Sequence, residues 1–178
     1  MSELKKKRTR SQRGKLIVEL ETCSANGISF TNVTKFHPAL REYTGYCFHK
    51  LTSILKSHVN KSLADLDIQV HHLAILSIIA SSSDMNQMQL SEETGIDKAS
   101  MVKVVDHLEK AKLIERVGSK IDRRVKKLLM TQKGIEILKK ANAARHQVEL
   151  SFLSPLNSSQ SEVFRSLILK LLDHHKSL

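Results

Sequence analysis

Tryptophan is absent from this chain of 178 residues, aromatics make up only 4%, and there are two prolines and two cysteines. A core with so few rings must be built from Leu, Ile, Val and Ala, which favours helices. Cys23 and Cys47 have neither C-x-x-C nor zinc-ribbon spacing, so no disulfide framework is expected, in keeping with a reducing cytosol. No apolar run approaches the roughly 20 residues that span a bilayer. Leu16-Ile17-Val18 is followed by Glu19 and Glu21, where a signal peptide would need a longer apolar stretch. A cytoplasmic protein without a membrane partner is therefore expected. No nucleophile–base pair, phosphate-cradling glycine loop or metal-ligand motif is present, so neither an enzyme nor a bound cofactor or metal is expected.

Basic charge is what the chain has in excess. Twenty-nine Lys and Arg stand against 18 acids, for a net charge of +11 and a pI near 9.8. Such a chain is drawn to phosphate backbones or anionic lipid. Lys5, Lys6, Lys7, Arg8, Arg10, Arg13 and Lys15 face only Glu3 within the first fifteen residues, and they hold over half of the excess. Like charges this dense resist packing, so residues 1–35 read as a basic, flexible extension. Within it, Leu16-Ile17-Val18 suits a short strand or helix, while Ser24 to Asn32 reads as loop.

The rest, residues 36–178, reads as one mainly α domain. A helix is expected from near Pro38, with Leu40, Tyr43, Cys47, Leu51, Ile54 or Leu55, and Val59 on one face. Asp67 resembles the N-cap of a second, central helix with Val70, Leu73, Ala74, Ile75, Ile78 and Ile79; Ser81-Ser82-Ser83-Asp84 breaks it. Asn86 and Gln89 form a capping-box pattern for a short helix ending at Gly95. Asp97 then caps a helix reaching about Lys112, with Met101, Val104, Val105 and Leu108 inward. Two helices joined by Gly95-Ile96-Asp97 make a helix-turn-helix. Strands 113–117 and 125–130 flank the polar stretch Gly118 to Arg124 and form a wing. Thr131 caps a long helix, Pro155 ends it, and Asn157 with Gln160 caps a last, Leu-rich helix.

The winged unit, about 86–133, carries the pattern of a duplex-DNA reader. The N-terminal end of a recognition helix meets base edges in the major groove. Here it offers Lys98, Ala99, Ser100 and Lys103, with His107 one turn on. Lys98 and Lys103 suit phosphate or guanine, Ser100 pairs weakly with several bases, and Ala99 suits a thymine methyl. The wing tip holds Lys120, Arg123 and Arg124 beside Asp122. A basic side chain on a ribbon can enter a narrow minor groove, and a carboxylate can orient a guanidinium bidentately.

From Leu90 to Gly134 the chain resembles the MarR family of bacterial transcription regulators. The resemblance rests on Leu90-Ser91-Glu92-Glu93-Thr94-Gly95-Ile96-Asp97-Lys98, Val105-Asp106-His107-Leu108-Glu109 and Leu113-Ile114-Glu115-Arg116. Its sharpest part is Asp122-Arg123-Arg124 followed by Leu129-Met130-Thr131-Gln132-Lys133-Gly134, where Met130 replaces a more usual Leu. It implies a winged helix-turn-helix with a two-stranded wing and with dimerisation helices at about 38–64 and 134–178. It implies a triangular homodimer on a pseudo-palindromic operator, with Arg124 in the minor groove and Asp122 as its partner. The Leu-rich last helix independently lacks partners within a compact winged unit, which also points to a two-fold dimer.

The resemblance also raises a switch. The family's commonest effectors are small aromatic or lipophilic acids, and Tyr46, Lys50, His72 and Arg145 are the candidates to border such a pocket, with nothing in the sequence that shows them converging. A packed crevice fits the same residues. Cys47 beside Tyr43 and Tyr46 matches oxidation-sensing relatives, although a Cys on an apolar helical face is ordinarily packing. Adjacent His71 and His72 diverge by about 100° on a helix and do not easily share a metal. The leading function is a sequence-specific regulator, a repressor that excludes polymerase. The alternatives are an architectural binder of low specificity, favoured by the basic extension, and a winged-helix adaptor for protein partners.

Overall fold

The computed structural model describes residues 23–25, 28–30, 36–82, 85–118 and 126–175. Two short antiparallel strands, β1 (Cys23–Ala25) and β2 (Ile28–Phe30), pair in the extension. They correct the expectation that Ser24 to Asn32 is loop. The intervening dipeptide is Asn26-Gly27, the sequence most favoured in two-residue hairpins. The first helix also begins later than expected. Pro38–Leu40 forms a single 3-10 turn capped by His37, and α1 runs Thr44–Ser62. Leu55 and Val59 of its apolar face pack on the core, but Tyr43 and Leu51 are exposed.

The core centres on α2 (Val70–Ser81), where Leu73, Ile75, Leu76 and Ile79 are buried. Its helical stripe is apolar nearly all round, which fits a central helix surrounded by partners. Asp67 does not cap it. Asp67 adopts a left-handed conformation closing the Ala64–Leu66 turn, and Gln69 takes the N-cap position.

The helix-turn-helix pairs α3 (Gln87–Thr94) with α4 (Lys98–Lys110). Asn86 Oδ1 accepts from the Met88 and Gln89 N–H groups, and Gln89 Oε1 accepts from the Asn86 N–H, completing the expected capping box. Gly95 ends α3 at φ 69°, a left-handed conformation that glycine adopts without strain. The wing strands β3 (Ile114–Gly118) and β4 (Lys126–Met130) pair antiparallel, with Arg116 opposite Leu128. The chain before α3 joins their edge, because the Leu128 N–H donates to the Met85 carbonyl.

α5 (Gln132–Leu153) starts at a latch. Thr131 Oγ1 accepts from the Gly134 N–H and donates to the Lys112 carbonyl at 2.7 Å. The Thr131 N–H donates to the Leu113 carbonyl, and Lys133 Nζ donates to the Ala111 carbonyl. Gly134 is required because a Cβ there would lie 2.0 Å from the Leu113 oxygen. The Thr131–Gly134 motif thus ties α5 to the turn leaving α4. Asn157 and Gln160 cap α6 (Ser158–His175) reciprocally. No α6 residue is buried, and Val163, Leu167, Leu169, Leu171 and Leu172 are exposed.

Candidate nucleic-acid interface

The sequence of α4 divides it into two faces. Met101, Val104, Val105 and Leu108 are buried, as their three- and four-residue spacing predicts. Lys98, Ala99, Ser100 and Lys103 are exposed at the N-terminal end. The Asp97 carboxylate caps that end by accepting from the Ser100 N–H at 2.9 Å. This backbone hydrogen bond from Ser100 is the main reason the Asp97 carboxyl sits below its ordinary pKa. The cap fixes the first turn, and the four exposed side chains lie away from the stripe of Met101, Val104, Val105 and Leu108.

The wing is fastened to this helix by Arg116 of β3. Its guanidinium contacts Asp106 at 2.6 Å and also Glu109, both on α4, and reaches Gln87 Oε1 on α3 at 3.3 Å. The side chain is only 19% exposed. Burial works against its charge, but the Asp106 and Glu109 carboxylates outweigh that and raise its pKa. One side chain therefore sets the wing strand against both helices of the reading unit. Sequence reasoning missed it. The signal available was two acids three residues apart on α4, with a basic residue on the following strand.

The other expected residues fall in different places. Lys120, Asp122, Arg123 and Arg124 lie outside the described residues. The His107 ring stacks on His72 at 4.5 Å, its Nε2 is enclosed, and it lies toward the far end of α4 from Lys98. Position 107 borders the buried stripe one turn after Val104, and this turns its ring toward α2. Of the expected effector-pocket residues, Tyr46 packs against Phe36, His72 lies between His71 and His107, and Arg145 pairs with Glu149. Lys50 stands half-buried on α1. Cys47 is a free thiol, half-buried, whose Sγ lies 3.5 Å from the Arg41 carbonyl. Among the described residues, no three His, Cys, Asp or Glu are arranged to hold a metal, and no helix is long and apolar enough to cross a membrane.

Residues 65–125 match the family model described as "MarR family". The fold is similar to that of a probable transcriptional regulator from Pseudomonas aeruginosa, at 23% identity and a TM-score of 0.68. That match covers 74% of this chain and 98% of the other. A mutant MarR from E. coli, solved in complex with operator DNA, matches at 18% identity and a TM-score of 0.67, over 76% of this chain and 99% of that one. A MarR family protein of Mycobacterium tuberculosis, solved with p-aminosalicylic acid, matches at 21% identity and a TM-score of 0.62. Here the coverage is 72% of this chain and 97% of the other.

Proposed function

We propose that this chain, which carries the winged helix-turn-helix of the MarR family in the fold of its regulators, is a sequence-specific DNA-binding repressor acting as a homodimer. The capped, outward N-terminal face of α4 is the observation that carries this reading. Lys98, Ala99, Ser100 and Lys103 project from a helix whose opposite face is buried, beside a wing held by Arg116. In the major groove the two lysines meet phosphate or guanine, and Ala99 meets a thymine methyl. Arg124, oriented by Asp122, enters the flanking minor groove.

Dimerisation follows from the exposed apolar residues of α6 and of α1, where Phe48 and Leu51 are uncovered. A two-fold pair buries these faces and presents two reading units to half-sites about one helical turn apart, ~34–36 Å. Release by a small aromatic acid is part of the proposal, supported by the mycobacterial relative's complex. Localisation in the cytoplasm follows from a DNA target.

The experiment is salt-dependent duplex binding by the full chain and by a Lys98→Ala/Lys103→Ala variant. Each lost phosphate contact should flatten the slope of log K against log salt by about 1. An unaltered slope and affinity would reject α4 as the reading helix.

A further inference from the structure

Three histidines converge where α2 meets α4. His72, in the first turn of α2, is 7% exposed. The Gln69 N–H donates to its Nδ1 at 3.2 Å, so Nδ1 is an acceptor and the ring is neutral with its proton on Nε2. The His107 ring of α4 lies on it at 4.5 Å, with only 11° between the planes. The His71 ring approaches its other neighbour, His72, to 4.1 Å despite the divergence of adjacent helical positions. His107 Nε2 is buried without a hydrogen-bond partner. This set cannot absorb protons quietly. Protonating His72 Nδ1 removes the acceptor of the Gln69 N–H at the start of α2, and a second charge on either neighbour adds repulsion at stacking distance.

We infer that His71, His72 and His107 form an acid-sensitive joint that holds the recognition helix against α2, so that acidification weakens DNA binding. The inference rests on the DNA-binding reading above. The charges facing the joint reinforce it. Lys56 on α1 opposes a positive charge at His71, as does His107 on α4. At His72, burial is the largest influence, followed by His71 and His107, and only Asp67 favours the charged form. The balance pushes His72 down to about 4, and His71 is also lowered by burial and by Lys56 and His107. A ring forced to charge therefore favours an opened joint, in which it reaches water. α4 loses its stacked support at the end opposite to its DNA-reading residues.

The sign of the effect separates this joint from ordinary contact. Histidines facing phosphate gain positive charge in acid and bind DNA more tightly. Histidines in the joint do the reverse. The test is anisotropy with a duplex selected from random DNA by the full chain, from about pH 7.5 to about pH 5 at constant ionic strength. The wild type should lose about tenfold in affinity. His72→Asn, whose Oδ1 can still accept from the Gln69 N–H but cannot take up a proton, should lose much less, and His72→Gln serves if Asn perturbs folding. Tighter or unchanged binding in acid, or a full wild-type loss in both variants, would overturn the joint. A DNA-free readout keeps the two proposals apart: the unfolding midpoint should fall in acid, and fall less in His72→Asn. A missing salt-sensitive complex at pH 7.5 would remove the DNA reading, and this use of the joint with it.

Discussion

Replacing Gly134 with Ala sets helix propensity against packing. At the third position of α5, Ala should gain about 1 kcal/mol from its better propensity. The added Cβ, however, would stand 2.0 Å from the Leu113 carbonyl oxygen, 2.9 Å from its carbon and 3.1 Å from Met130 Cε. The first two atoms are backbone and cannot swing aside. Relief requires α5 to lift by more than an ångström, which breaks the Thr131 bonds to the Lys112 and Leu113 carbonyls. Overpacking costs about 3 kcal/mol or more when backbone must move, so the net loss is about 2 kcal/mol or more. For a chain of this size that lowers Tm by about 4–8 °C. Thermal unfolding followed by circular dichroism measures it. A Gly134→Ala protein melting at or above the wild-type temperature would refute the close approach and the latch derived from it.

Arg116→Met should cost about 1–2 kcal/mol of stability, since it leaves Asp106 and Glu109 adjacent and unpaired; urea unfolding at neutral pH reads this, and an unchanged midpoint contradicts the bridge. Lys112 adopts φ 60° after α4, so Lys112→Gly should raise stability by about 0.5–1 kcal/mol in the same assay. Stability should also fall in acid: His72 is held neutral from 6.5 down to about 4, so its contribution is full above about pH 6.5 and fades as pH drops toward 4. Allowing for solvent screening at the half-buried cluster, that is about 2 kcal/mol, and a denaturation midpoint independent of pH over this range would exclude it. Leu167→Glu with Leu171→Glu should convert the proposed dimer to monomer in sedimentation, because both side chains are exposed on α6; an unaltered dimer mass would place the interface elsewhere, and a wild-type mass of one chain would remove the dimer.

Features governed by neighbouring residues were readable in the sequence. The Asn86–Gln89 box, Gly95, the Asp97 cap and the buried stripe of α4 all obey local chemistry. Errors arose where longer-range contact decides. Asp67 has the side chain of an N-cap, yet Asn60 Oδ1 accepts from the Val70 N–H and fixes the start of α2 two residues beyond the predicted cap. Pro38 fits a first helical turn equally well in a 3-10 turn or an α-helix, and only the full backbone path distinguishes them. Helical spacing places His107 at the edge of the apolar stripe, and its stacking on the ring of His72, 35 positions earlier, comes only from the fold. Arg116 was visible as one charge on a strand, whereas its three partners come together only through the fold.

Selection of bound duplexes from random DNA by the full chain tests the central claim most directly. A dimer of reading units should enrich a pseudo-palindrome whose half-sites lie about 10 bp apart, centre to centre. The enriched sequence should be bound at least about 10³-fold more tightly than unrelated DNA at physiological salt. A pool that never converges, with enriched and unrelated duplexes bound equally, would contradict a sequence-specific regulator.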